Sequence, residues 1–141
     1  MVRHILYATD GSYAAERAGD YAASIAMRFH AKVTVLHAFV NVPVPLTSTP
    51  FPNADSFASQ KDAEHLTERA AERLRNLGVP EVATEIISGQ PTSVILGVAE
   101  TLKPDMIILG ARGLSTWQGM LLGSVSASVV QRAEIPVLVV K

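Results

Sequence analysis

Ile5-Leu6-Tyr7-Ala8-Thr9-Asp10-Gly11-Ser12 is the stretch on which the fold turns. A short apolar run, unbroken by polar alternation, stops at a polar turn containing glycine. Ala14, Ala18, Tyr21, Ile25 and Phe29 then follow at helical spacing. A continuous apolar strand leading directly into a helix is the unit of a parallel sheet covered on both faces. The same alternation continues outward. Val33 to Phe39, Val82 to Ile87, Met106 to Leu109 and Val137 to Val140 read as four further strands. Between them, Ala63, Leu66, Ala70, Leu74 and Leu77, then Val94, Val98 and Leu102, and finally Val125, Val129 and Ala133 repeat at helical spacing. Punctuation agrees: Gly78 and Pro80 close the second helix, Pro91 opens the third, and Pro104 ends it before the fourth strand. The pattern predicts an α/β fold: a single-domain, doubly wound, five-stranded parallel sheet.

Size and charge agree with one unit. The 141 residues are 48% hydrophobic and 18% charged, which suits a single domain over 1–141 that buries roughly 70% of its unfolded surface. Lys+Arg at 12 and Asp+Glu at 13 give a net charge of -1, so no bulk field draws in nucleic acid or an anionic membrane. With no cysteine, disulfides, thiolate metal sites and a cysteine nucleophile are excluded. The longest apolar runs fall far short of the ~18 residues of a membrane span. Met1-Val2-Arg3-His4 lacks the layout of a secretory signal, so a soluble, cytoplasmic protein is expected. One segment stands apart. Residues 41–54 hold four of the eight prolines, Pro43, Pro45, Pro50 and Pro52, and read as a long loop after strand two, either a surface insertion or a flap over a ligand.

Ligands of open α/β sheets bind beyond the carboxyl ends of the strands, where the winding reverses, so the strand-to-helix turns carry the chemistry. The first, Thr9-Asp10-Gly11-Ser12, offers a carboxylate and hydroxyls. The same residues serve equally well as an ordinary turn with Ser12 capping the next helix. The second, Gly110-Ala111-Arg112-Gly113, is separated by nine residues from Gly123-Ser124 at the start of the fourth helix. Glycine lets backbone N–H groups approach an anion. The helix start adds unpaired donors and the positive end of a dipole, and Ser124 offers a hydroxyl and an N-cap oxygen. This is equipment for binding phosphate, with Arg112 either a phosphate contact or a solvated side chain. Both turns reach one ligand only if strands one and four are neighbours, which selects the order 3-2-1-4-5.

Missing motifs narrow the chemistry. There is no GxxxxGK[ST] loop and no GxGxxG after strand one, which argues against fast phosphoryl transfer and against a nicotinamide or FAD enzyme. His4, His30, His37 and His65 stand outside any HExxH pair or serine elbow and read as core or surface residues. Glu64, Glu68 and Glu72 share a helix face with Arg69 and Arg73 nearby, a solvated surface rather than a metal site. In the order 3-2-1-4-5 the terminal strand lies at an edge, where unpaired backbone groups invite a second copy.

Gly110-x2-Gly113-x9-Gly123-Ser124, the opening Ile5 to Ser12, Val35-Leu36-His37-Ala38, and the closing Ile135-Pro136-Val137-Leu138-Val139-Val140 together resemble the universal stress protein (UspA) family over essentially the whole chain. The glycine spacing resembles that of its ATP-binding branch. The resemblance implies a regulatory stress-response protein that binds ATP or AMP, with no catalytic residue and little or no fast turnover. It implies a site at Ala8, Thr9 and Asp10, with Asp10 near the ribose and adenine. The backbone of Ala38 would read the adenine edge, and Leu109 and Gly110 would lie beside the sugar. Gly113, Gly123, Ser124 and Val125 would hold the phosphates, with charge from Arg112. Mg²⁺ would be held mainly by phosphate oxygens. A homodimer through Val137, Leu138, Val139 and Val140 is likewise implied. The alternatives are a slow ATPase or another adenine-nucleotide enzyme of the same architecture, and a flavodoxin-like redox or phospho-acceptor module.

Overall fold

The computed structural model describes residues 1–40, 54–113, 119 and 121–141. Nine elements alternate along the chain: β1 (His4–Ala8), α1 (Tyr13–Phe29), β2 (Lys32–Phe39), α2 (Ala54–Leu77), β3 (Glu81–Ser88), α3 (Pro91–Leu102), β4 (Met106–Gly110), α4 (Ser124–Arg132) and β5 (Val137–Val140). All strand pairs are parallel and the sheet order is β3-β2-β1-β4-β5, the order that the two turns require. Of the stretch expected as a proline-rich loop, 41–53 lies outside the described residues, and Ala54 already belongs to α2.

The core splits into two layers, one on each face of the sheet. Ile5, Tyr7, Val33, Val35 and Ile108 pack beneath α1 and α2, while Leu6, Leu36, Ile107 and Leu109 pack beneath α3 and α4. Strand residues of one segment alternate between the layers. Because both layers are covered, β1 from Ile5 onward and β4 are continuously apolar rather than at every second residue.

Helix α1 departs from its expected face. Its buried residues are Ala15, Ala18, Gly19, Ala22, Ala23 and Ala26, whereas Tyr21 and Phe29, placed on the core stripe by their spacing, are exposed at 49% and 45%. The reason is close approach. A Cβ added at Gly19 would lie 2.9 Å from the Tyr7 hydroxyl, which itself donates to Ala15 O at 2.6 Å. Only small side chains let the helix backbone come down onto β1 and β4. Burial pushes the Tyr7 phenol up to about 12.

The acidic face of α2 is likewise solvated, but its partners differ from the neighbours suggested by spacing. Arg73 reaches across to Asp20 on α1, and Glu68 pairs with Arg75. Helix starts and ends follow the sequence punctuation. Pro91 is the first residue of α3, with the Gln90 side chain accepting from Ser93 N, and Gly78 takes φ +101° after α2. At the amino end, the Asp105 carboxylate accepts from Arg3 N at 2.7 Å and His4 N at 2.8 Å, tying the entry of β1 to that of β4.

Candidate functional site

A cleft of about 230 Å³ opens beyond the carboxyl ends of β1, β2 and β4. It lies where the order reverses between β1 and β4. Residues at the starts of three helices line it: Ser12 and Ala15 of α1, Pro91 and Ile95 of α3, and Gly123, Ser124, Val125 and Ser126 of α4. Three helix N-termini and their positive dipole ends therefore flank one space, an environment that favours an anion, with side-chain caps at the heads of α1 and α3 and none at that of α4.

Hydrogen bonds preset the first turn. Asp10 Oδ1 accepts from Ser12 N at 2.9 Å, and Ser12 Oγ accepts from Ala15 N at 3.2 Å and donates to Arg112 O at 3.3 Å. Ser12 thus caps α1 and also fastens the first turn to the turn after β4. Thr9 Oγ1 accepts from Gly11 N at 3.2 Å, and Gly11 takes φ +78°, which favours glycine. His37 Nδ1 lies 2.8 Å from Thr9 O. A carbonyl only accepts, so the imidazole carries a proton on Nδ1.

The turn after β4 is held just as firmly. Ala111 N donates to Val140 O at 2.6 Å, while Ala111 O accepts from Gly123 N at 2.6 Å and from Ser126 Oγ at 2.6 Å. The Ala111 peptide thereby locks the end of β5 and the start of α4 to the exit of β4. Ser126 Oγ also reaches Gly123 O at 3.1 Å. Gly123, not Ser124, is the N-cap of α4, with no side-chain cap bond. Ser124 is the first helical residue and is exposed on the cleft rim. Its hydroxyl is therefore not the N-cap oxygen expected from sequence, because Gly123 takes the extended cap conformation at φ -75°, ψ 167°.

Two glycines of the cleft stand in close contact with the first turn or with α1. A Cβ on Gly110 would lie 2.7 Å from Ala15 N and 2.8 Å from Ala14 C, so this glycine serves the packing of β4 against α1. At Gly113 a Cβ would lie 2.5 Å from Asp10 Oδ2, so the two turns meet across the cleft there.

All eleven residues singled out in the sequence, Ala8, Thr9, Asp10, Ala38, Leu109, Gly110, Arg112, Gly113, Gly123, Ser124 and Val125, line this cleft. Ser12 and Ala111, which belong to the two turns read from the sequence, line it too, as do Ala15, Leu36, Pro91, Ile95 and Ser126, which were not anticipated as site residues. Pro91 carried a signal as a helix opener in the first βα turn after β3. Ser126 sits one turn into α4, where a small hydroxyl looks like any surface serine. Among the described residues, Arg112 is the one cation and Asp10 the one carboxylate on the lining. Among those same residues, no group of three His, Cys, Asp or Glu side chains is placed to hold a metal ion, and no helix is long and apolar enough to cross a membrane.

Comparison with known proteins agrees over the full length. The model of the universal stress protein family matches residues 1–141. A universal stress protein of Thermus aquaticus is 36% identical over 141 residues, covering 100% of both chains. Among solved structures, the universal stress protein UspA of Lactobacillus plantarum superposes with a TM-score of 0.87 at 27% identity, over 99% of this chain and 98% of that one. A universal stress protein in complex with cAMP superposes with a TM-score of 0.76 at 28% identity, over 99% and 96%. A layered α/β sheet wound in the order β3-β2-β1-β4-β5, matched from end to end by that model and those relatives, belongs to the universal stress protein family.

Proposed function

We propose that the cleft binds an adenine nucleotide, ATP or AMP, and that the protein acts by changing state with nucleotide level rather than by rapid catalysis. The observation that carries this reading is the division of the lining. Leu36, Ala38, Pro91 and Ile95 offer an apolar floor for a base beside the exit of β2. Gly113, Gly123, Ser124 and Ser126, with Arg112, offer small residues, hydroxyls and one cation at the head of α4. A flat apolar group joined to an anion fits such a division. The related structure solved with cAMP carries the same class of ligand.

In this reading Asp10 lies near the ribose and adenine, the Ala38 backbone meets the base, Leu109 and Gly110 flank the sugar, and Gly113, Gly123, Ser124 and Val125 surround the phosphates. The donor set suits phosphate oxygens and offers one carboxylate to a cation, so Mg²⁺ would be held chiefly by phosphate and water. Main-chain donors that hold ground-state phosphates give no preferential stabilisation to a transferring phosphoryl group, so turnover is expected to be slow. The proposal extends to a cytoplasmic homodimer joined through β5.

The test is to denature the purified protein, identify any released nucleotide by mass spectrometry, and then measure phosphate release with ATP and Mg²⁺. Release of an adenine nucleotide with turnover well below about 1 per second supports the reading. Turnover in the range of about 1–1,000 per second makes the protein an enzyme. Recovery of flavin, or failure to bind any adenine nucleotide, overturns the reading.

A further inference from the structure

We infer that His37 is a positioning residue that holds open the hydrogen-bonding edge of Ala38, and so sets the preference of the cleft for the base it receives. The inference rests on the nucleotide-binding reading above and adds a residue that does not line the cleft.

The register of the β1–β2 ladder carries it. Lys32 N donates to Arg3 O at 2.9 Å and Thr9 N donates to Leu36 O at 2.9 Å. With the pairs His4↔Lys32 through Ala8↔Leu36, the even residues of β2 turn their N–H and C=O groups toward β1. Continued by one rung, the ladder would run from Ala38 N to Thr9 O and from Gly11 N to Ala38 O. Both partners are already engaged. Thr9 O takes the His37 Nδ1 proton at 2.8 Å, and Gly11 N donates to Thr9 Oγ1 at 3.2 Å. On its other side β2 remains paired with β3 through Phe39↔Ser88, so the strand stays extended while β1 leaves it for α1.

The Ala38 peptide edge therefore faces the cleft as an adjacent donor and acceptor on a rigid strand. Adenine presents an acceptor at N1 beside a donor at its 6-amino group, and guanine presents the reverse order at O6 and N1. A fixed N–H and C=O pair distinguishes them. Thr9 is buried, so its carbonyl needs a donor. Without the imidazole, the nearest ladder donor is Ala38 N, and its capture would close the edge that meets the base.

The experiment compares wild type, His37→Leu and His37→Asn for binding of ATP and GTP, together with amide exchange at Ala38 in the nucleotide-free protein. Asparagine places an N–H near the position of Nδ1, whereas leucine offers none. His37→Leu is expected to lose about tenfold in ATP affinity, the worth of one hydrogen bond, with a matching loss of preference over GTP. His37→Asn is expected to restore both. The Ala38 amide should exchange much faster than that of Leu36 in wild type, and slow in His37→Leu. A folded His37→Leu protein with wild-type affinity and base preference overturns the inference, as does an Ala38 amide as protected in wild type as that of Leu36. The wild-type exchange measurement decides the matter even where His37→Leu fails to fold. If wild type binds no adenine nucleotide, the reading of the cleft falls, while the exchange data still report whether His37 holds the edge open.

Discussion

Asp10 and Gly113 face each other across the mouth of the cleft so closely that a Cβ on Gly113 would stand 2.5 Å from Asp10 Oδ2. The first acidic turn and the glycine turn after β4 are thus one surface, and glycine at 113 is what lets the carboxylate keep its place. Gly113→Ala should displace Asp10 and lower adenine-nucleotide affinity by about tenfold, the equivalent of one good polar contact. Since Gly113 is exposed, the melting temperature should hardly move. Calorimetric titration beside a thermal melt checks both.

Gly110 makes the opposite prediction. A Cβ there meets backbone atoms, Ala15 N at 2.7 Å and Ala14 C at 2.8 Å, which cannot step aside as a side-chain tip can. Gly110→Ala should cost about 1–3 kcal/mol of stability, the usual range for overpacking. Urea denaturation measures it, and an unchanged midpoint would mean that α1 is not seated on β4 as described.

Tyr7 links alkaline stability to the same contact. Its phenol is raised from its ordinary value of 10.0 to about 12, chiefly by burial. The folded state therefore favours the neutral form. Its contribution is complete below pH 10 and is lost as pH rises from there through about 12. Tyr7→Phe should lose about 1 kcal/mol at neutral pH with the bond to Ala15 O. The variant should also lack this alkaline decline, which denaturant titrations between pH 9 and 12 would reveal.

Asp105 acts at the acid end. The backbone N–H groups of Arg3 and His4 hold its carboxyl below its ordinary value of 3.8. Its contribution is present above that value and is lost as pH falls through the lower folded value. Asp105→Ala should cost about 1 kcal/mol at neutral pH, kept small by solvent screening. The deficit relative to wild type should shrink under acid, as stability curves at falling pH would report.

The open edge of β5 tests the proposed dimer. Ile107 N donates to Pro136 O and Ala111 N to Val140 O. The even residues of β5 therefore serve β4, and Val137 and Val139 turn their N–H groups outward. Val139→Pro removes one outward donor and leaves the β4 ladder intact. Sedimentation should show a weakened dimer. A wild-type monomer, or a variant that dimerises like wild type, would place the contact elsewhere or remove it.

Much of the fold and site was legible from local chemistry. Continuous apolar strands, Pro91 and Gly78 at helix ends, and the spacing of Gly110, Gly113 and Gly123 are short-range signals, and the order β3-β2-β1-β4-β5 follows from asking that both turns meet one ligand. Other features need partners distant in the chain. Periodicity marks Ala18, Tyr21 and Phe29 as core, and Ala18 is buried, yet Ala22, Ala23 and Ala26 are buried in place of Tyr21 and Phe29, because the separation between α1 and the sheet, set by Tyr7 and Gly110, admits only small side chains. The cap of α4 passes to Gly123 because Ala111 O holds its N–H. His37 looks like any strand histidine until β1 lies alongside and Thr9 O comes within 2.8 Å of its ring. Sequence by itself determined the alternation of elements and the residues gathered at the cleft, since propensity and turn chemistry act over a few residues. Tertiary structure decided which helix face is buried, which residue caps and which backbone edge stays open, since those depend on distances between segments far apart in the chain.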